Sequence, residues 1–187
     1  MSSLLIRCVL TISFLFLLVT SSFDADARRL GILYQLAPSW EVSEWFQLPA
    51  GKASLDVDDF KGKVIYLYCF QNWCPGCHSH GFSLLQKLTR YYKDNDQATF
   101  VAVQTTFEGF FTNTFEGAQE IADRYQLKIP FGQSGSSGRL SQLMVNHRTG
   151  GTPGSIVIDR NGIVQFNDFH IYEADAIRLI DRLITSN

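Results

Sequence analysis

Two cysteines separated by two residues are the part of this sequence with the clearest chemical use. Cys74-Pro75-Gly76-Cys77 stands directly before a stretch of helical periodicity. Both thiols would therefore lie on one face of a first helical turn, close enough to form a disulfide with little backbone movement. Unpaired amides at a helix N-terminus stabilise a thiolate there, and Pro75 suits a turn that needs no N–H from it. We predict a redox-active dithiol in which Cys74 is the nucleophile and Cys77 the resolving thiol.

Two other chemistries use the same residues. A zinc site would need two more ligands, and the nearby candidates, His78 and His80, both follow Cys77 within three residues, which is cramped for a structural site. The run from Cys74 to His78 also satisfies C-x-x-C-H, the attachment pattern of c-type haem, for which Met144 would have to supply the sulfur ligand. The strand, turn and helix pattern around the motif favours the dithiol over both alternatives.

The N-terminal segment has the layout of a secretory signal peptide. Arg7 precedes an apolar run from Cys8 to Val19, and a small or polar stretch then ends in Ala25-Asp26-Ala27. We predict a signal peptide at residues 1–27, cleavage after Ala27 and an exported, periplasmic or secreted, domain at residues 28–187. The alternative is an uncleaved membrane anchor, although an apolar run of about a dozen residues is short for a spanning helix.

The mature chain would keep three cysteines, which is an odd number in an oxidising compartment. A disulfide framework favours an even number, so these thiols indicate redox chemistry with one spectator. Cys69 is the expected spectator because it falls inside an apolar run and reactive thiols need an exposed, electropositive setting.

The surrounding elements alternate between strand and helix signals and predict an α/β fold, with a central mixed sheet flanked by helices. Asn161-Gly162 between two short apolar runs is a strong hairpin signal, and the Gly- and Ser-rich stretch 132–138 predicts a loop. The predicted strands are Val64–Phe70, Thr99–Gln104, Ser155–Asp159 and Ile163–Phe166, and the predicted helical faces are Phe82/Leu85/Leu88/Tyr92, Phe115/Ala118/Ala122/Tyr125 and Ala174/Ile177/Ile180/Ile184.

Length and charge restrict the partners. A chain of 187 residues with a formal net charge of −2 has the size of a single domain beyond its leader. It has no basic stripe or polybasic patch, so we expect no nucleic-acid partner and no membrane contact other than through an uncleaved leader.

In its motifs the chain resembles the exported thioredoxin-like disulfide oxidoreductases of the TlpA-like and redoxin type. The resemblance rests on Ala37-Pro38, Trp73-Cys74-Pro75-Gly76-Cys77, Gly151-Thr152-Pro153 and Ile156–Asp159 with the following Asn161-Gly162. It implies a thioredoxin fold with an N-terminal extension and a cis Pro153 beside the dithiol. It also implies that Trp73 and Thr152 help to bind substrate, that no cofactor is used, and that the partners are protein disulfides or dithiols and a thiol electron donor.

Three positions depart from that family pattern. Thioredoxins carry a buried acid six residues before the first cysteine, where this chain has Tyr68. TlpA-like members often have a glutamate three residues after the second cysteine, where this chain has His80, which could relay a proton or simply be a surface histidine. Gly81-Phe82-Ser83 replaces the proline that often kinks the helix, so the geometry there stays open.

The resemblance leaves two competing functions. A thiol peroxidase would have a threonine three residues before its cysteine, and Gln71 at that position weakens this alternative. A binding module without turnover would need neither Cys74 nor Cys77. We therefore expect a thiol–disulfide oxidoreductase whose direction, reductase or oxidase, is not determined by the sequence.

Overall fold

The computed structural model describes residues 30–136 and 138–186. The chain divides into two units, Met1–Leu30 and Gly31–Asn187, and the second unit contains the whole sheet and its helices. The predicted signal peptide and its cleavage site lie outside the described residues. None of the helices in the described ranges is long and apolar enough to cross a membrane.

A six-stranded mixed sheet forms the centre, with the order β1-β4-β3-β2-β5-β6. β2 is parallel to β3 and antiparallel to β5, which pairs in turn with β6 as the predicted hairpin. The strands are β1 Glu44–Phe46, β2 Val64–Phe70, β3 Ala98–Thr105, β4 Phe131–Ser134, β5 Gly154–Ile158 and β6 Val164–Asp168. This arrangement is the predicted thioredoxin fold.

The helices are α1 Phe82–Tyr91, α2 Phe115–Arg124, α3 Gln142–His147 and α4 Glu173–Thr185, and a short 3-10 helix spans Val57–Phe60. A π-helical turn at Cys77–Gly81 leads into α1. In the helix after the dithiol, an i to i+5 turn thus takes the place of a proline kink.

β2 is buried on both faces, which is why its sequence is a continuous apolar run rather than an alternating one. Tyr66, Tyr68 and Phe70 pack with α1, α2 and α4, while Ile65, Leu67 and Cys69 pack with Trp40, Leu143 and the segment before β1 on the opposite face. The alternation of strand side chains therefore places Tyr68 on the same side as the helix that follows the dithiol.

Two expectations from the sequence are wrong. The stretch 132–138 is not a loop throughout, because β4 includes Gly132, Gln133 and Ser134. The polar side chains are buried but hydrogen-bonded, with Gln133 Nε2 donating to Thr106 Oγ1 at 2.9 Å and Ser141 Oγ donating to Ser134 Oγ at 2.8 Å. Composition alone cannot reveal such partners, because they come from distant segments.

The second error concerns the last helix. Its buried residues are Ala176, Ile180 and Leu183, whereas Ala174 is exposed. The helix begins at Glu173, so Ala174 lies in its first turn on the solvent side.

Candidate active site

The dithiol lies where β2 ends and the π-helical turn begins. The backbone N–H of Cys74 donates to Gln71 O at 3.1 Å, and the N–H of Cys77 donates to Cys74 Sγ at 3.2 Å. Cys74 keeps 4% of its surface exposed and Cys77 none, so only the first thiol has a route to a partner. An amide that points at Cys74 Sγ stabilises negative charge on that sulfur.

Cys77 is held as a protonated thiol when Cys74 carries the charge. Burial, followed by the hydrogen bond with Cys74, raises the pKa of the Cys77 thiol to about 12, while the Gln71 backbone and the Tyr68 hydroxyl act in the opposite direction. The two sulfurs are thus in unequal environments, because the pKa of Cys77 is raised and Cys77 is the more deeply buried.

Tyr68 contacts the second cysteine from the strand below. Its hydroxyl donates to Cys77 O at 3.4 Å, and the same carbonyl accepts the Phe82 N–H that closes the π-helical turn. Burial and then the charge of a nearby Cys77 thiolate raise the pKa of the Tyr68 phenol, so it stays protonated. Where thioredoxins place an acid, this chain has a hydrogen-bond donor that cannot accept a proton from Cys77.

The cis-proline loop lies against the dithiol. The Thr152–Pro153 peptide bond is cis, as the resemblance implied. A Cβ added to Gly76 would lie 3.1 Å from Pro153 Cδ, which shows how closely the two loops approach. Thr152 Oγ1 donates to Gln71 Oε1 at 3.4 Å, and within the described residues no hydrogen bond engages the backbone of Thr152.

Trp73 is partly exposed at 47% and adjoins the loop between β3 and α2. A Cβ added to Gly109 would lie 3.0 Å from Trp73 Nε1, so glycine permits this close approach. The indole therefore forms part of the surface beside Cys74.

The two histidines after the dithiol have different surroundings. His78 is half-buried and both of its ring nitrogens have partners: Nε2 lies 2.6 Å from Asn72 O and Nδ1 lies 2.9 Å from Tyr125 Oη. Because a carbonyl can only accept, Nε2 carries the proton and Nδ1 accepts from the tyrosine. A haem iron would need one of these nitrogens, so the C-x-x-C-H alternative would break an existing hydrogen bond.

His80 is exposed. Its Nδ1 lies 2.7 Å from Ser79 Oγ, and its ring is 6.3 Å from that of His170. Together with Tyr68, which contacts Cys77 O, and Pro153, which lies close to Gly76, it lines a cavity of about 300 Å³.

Cys69 is the remaining cysteine among the described residues. Cys69 is fully buried within β2, and burial raises the pKa of its thiol. This agrees with the expectation of an inert side chain.

The sequence profile of the Redoxin family matches residues 36–171. The chain belongs to the Redoxin family. This range includes the dithiol and the cis-proline loop, and it confirms the family named from the motifs. None of the curated proteins is significantly similar to the chain in sequence.

Solved structures agree with this assignment. A thioredoxin-like superfamily protein is 27% identical with a TM-score of 0.74, covering 81% of this chain and 97% of that one. A thiol-disulfide isomerase from Corynebacterium glutamicum is 28% identical with a TM-score of 0.70, covering 81% of this chain and 98% of that one. A putative thiol:disulfide interchange protein DsbE from Chlorobium tepidum shares the fold at 20% identity and a TM-score of 0.60, over 83% and 97%.

The redoxin family, the thioredoxin fold and the class of thiol–disulfide oxidoreductase are therefore confirmed.

The sequence did not reveal a hydrogen-bonded network that joins the dithiol loop to the β3–α2 loop. Asn72 N–H donates to Asn113 Oδ1 at 2.8 Å, and Gln71 Nε2 donates to Glu108 O at 3.2 Å. The sequence feature that could have indicated this network is the pair of amide side chains, Gln71 and Asn72, between the apolar strand and the first cysteine.

Proposed function

We propose that this protein exchanges disulfides with protein substrates outside the cytoplasm, with Cys74 as the attacking thiol and Cys77 as the resolving thiol. The proposal rests on the different surroundings of the two cysteines. Cys74 Sγ accepts an amide hydrogen bond and Cys74 is the more exposed residue, whereas Cys77 is fully buried.

The exchange proceeds in two balanced steps. The Cys74 thiolate attacks one sulfur of a substrate disulfide, so that the substrate S–S bond breaks, a mixed disulfide forms and the other substrate sulfur leaves as a thiolate that takes a proton. Cys77 then loses its proton and attacks Cys74 Sγ, which releases the second substrate thiol. The substrate gains two electrons and the protein keeps the Cys74–Cys77 disulfide, which a thiol electron donor reduces again; the reverse sequence oxidises a dithiol.

Three further residues complete the proposed site. Thr152 offers free backbone groups to an extended partner chain, and Trp73 adds apolar surface beside Cys74. We assign His80 as the solvent-side acceptor for the Cys77 proton, because it lines the cavity that Tyr68 also lines and Tyr68 cannot accept a proton.

The test is reduction of insulin and of cystine by the reduced mature protein. Cys74→Ser should abolish both activities, and Cys77→Ser should accumulate a mixed disulfide that is visible on a non-reducing gel. Cys69→Ala is the matched control, since it removes the buried spectator thiol. Wild-type rates in both dithiol variants would overturn the proposal.

Direction and location need separate measurements. A reduction potential of about −270 mV for the Cys74/Cys77 pair would identify a reductant, and one of about −120 mV an oxidant. Export is supported by the motif around Arg7, the apolar run and Ala25-Asp26-Ala27. N-terminal sequencing of the protein recovered outside the cytoplasm should begin at Arg28, and an intact Met1 on a membrane-bound chain would contradict cleavage.

A further inference from the structure

Exposed aromatic side chains surround the dithiol. Trp73, next to Cys74, is 47% exposed and Phe111, in the loop between β3 and α2, is 99% exposed; Phe169 and Tyr172, between β6 and α4, are 37% and 82% exposed. Large apolar groups gathered around one point of a surface indicate a site of interaction, whereas single ones need no explanation.

Phe111 is exposed at the tip of a hydrogen-bonded turn. The N–H and Oγ1 of Thr112 both donate to Gly109 O, at 2.9 and 2.8 Å, and the Asn113 N–H reaches the same carbonyl at 3.1 Å. Phe110 and Phe111 are the two central residues of this turn, so its tip is aromatic where most turns are polar.

The turn is fastened to the residues that hold the dithiol. Asn72 donates through its backbone N–H to Asn113 Oδ1 at 2.8 Å and through Nδ2 to Thr112 O at 3.0 Å. Asn113 Nδ2 donates to Glu108 O at 2.9 Å, and a Cβ added to Gly109 would lie 3.0 Å from Trp73 Nε1. Phe111 therefore has a fixed position relative to Cys74, two residues beyond Asn72.

The segment that follows β6 approaches the cis-proline loop. A Cβ added to Gly151 would lie 3.2 Å from Phe169 Cε1 and 3.9 Å from Phe107 Cζ. The loop after β3 and the loop after β6 therefore both approach Gly151, at the start of the cis-proline segment. Next to it the backbone of Thr152 makes no hydrogen bond within the described residues. Free main-chain groups between two aromatic sides suit an extended polypeptide rather than a small disulfide.

We propose that the Phe110-Phe111 turn binds an extended polypeptide segment that carries a large apolar side chain beside its disulfide, as unfolded proteins expose. This rests on the proposed function, because the substrate disulfide must reach Cys74 while the flanking residues contact the turn. Folded proteins bury such side chains, so the surface selects unfolded chains over native ones.

The test compares two synthetic peptide disulfides, identical except that one carries leucine and the other serine two residues from the cysteine, with cystine as the small reference. Wild-type protein should reduce the leucine peptide about fivefold faster, in kcat/KM, than the serine peptide. Phe111→Ser should remove that preference, so that its loss on the leucine peptide exceeds its loss on cystine by about the same factor.

Tyr91→Ser is the matched control, because Tyr91 is also exposed, at 60%, but lies at the far end of α1. It should keep the wild-type preference. A Phe111→Ser protein that still favours the leucine peptide fivefold, or that slows equally on all three substrates, overturns this inference and leaves the dithiol assignment intact. Wild-type protein that reduces none of the three overturns the proposed function, and this inference with it.

Discussion

The hydroxyl of Tyr68 occupies the space that a side chain at position 81 would need. A Cβ added to Gly81 would lie 1.9 Å from Tyr68 Oη and 2.5 Å from its Cζ. The φ of Gly81 is −64°, which any residue can adopt, so this glycine is required by the close approach and not by its backbone conformation. The phenol thereby reaches the π-helical turn and the carbonyl of Cys77.

Gly81→Ala should therefore destabilise the protein although alanine is the better helix former. Helix propensity favours alanine by about 1 kcal/mol, but forcing the π-helical turn away from a buried ring costs about 1–3 kcal/mol beyond that gain. Urea unfolding of the reduced protein measures the net free energy. In a double-mutant cycle with Tyr68→Leu, the penalty at position 81 should shrink, and an unchanged penalty would contradict the steric explanation.

Tyr68→Phe should slow the resolving step. Removing the hydroxyl takes away a donor that lowers the pKa of Cys77, while Cys77 O keeps the Phe82 N–H and is not left unpaired. We expect release of a preformed mixed disulfide to slow about tenfold at neutral pH, corresponding to about 1.4 kcal/mol. Stopped-flow tryptophan fluorescence would follow that step, because Trp73 is next to Cys74.

Tyr66→Phe is the matched control for this experiment. Tyr66 is two residues earlier on the same face of β2, is equally buried and bonds to Ser155 Oγ at 2.9 Å instead of to the dithiol. It should leave the resolving rate unchanged. Equal slowing by both substitutions would mean that the Tyr68 effect comes from the core and not from Cys77.

His80→Asn should alter the pH dependence of the same step. If His80 takes the Cys77 proton, its removal makes resolution depend on buffer and hydroxide, so the rate falls at neutral pH and recovers as pH rises or as buffer base is added. His170→Asn, the neighbour in the same cavity, serves as the control. An unaltered pH profile in His80→Asn would show that His80 is a surface residue that does not accept the Cys77 proton.

His147 should make stability fall in mild acid. It is fully buried, its Nδ1–H donates to Leu143 O at 3.1 Å, and burial lowers its pKa to about 4 although Leu143 O and Asp56 oppose the shift. Below pH 6.5 the unfolded chain binds a proton that the folded one does not, so the free energy of unfolding falls as pH falls from 6.5 to 4. The contribution amounts to about 3 kcal/mol at about pH 4.

His147→Gln should remove this component, since an amide can donate to Leu143 O but does not titrate. The measurement is the difference in free energy of unfolding between variant and wild type at about pH 7 and about pH 4, from urea titrations. A difference that does not change with pH would show that His147 titrates alike in the folded and unfolded chains.

The sequence by itself determined the elements whose patterns are local. Val64–Phe70 is a strand because every residue in it is apolar, and the Asn161-Gly162 hairpin follows from its turn residues. The dithiol followed from the spacing of Cys74 and Cys77, and family resemblance added the cis bond at Pro153. Such features need no knowledge of which distant segments meet.

Tertiary structure decided what each of these residues touches. From the sequence, Tyr68 could be recognised only as a residue that replaces the acid of thioredoxins. Its role as a hydrogen-bond donor depends on Gly81, thirteen positions later, which leaves space for its ring. Gly132 to Ser134 have the composition of a loop and form a strand, because polar partners for their side chains come from other segments. The position of the exposed Phe111 was likewise decided by the tertiary structure. Hydrogen bonds from Asn72, some forty residues away in the chain, hold the turn of Phe111 near the dithiol loop. Contacts between distant residues carry no local pattern, and so only the folded chain could show them.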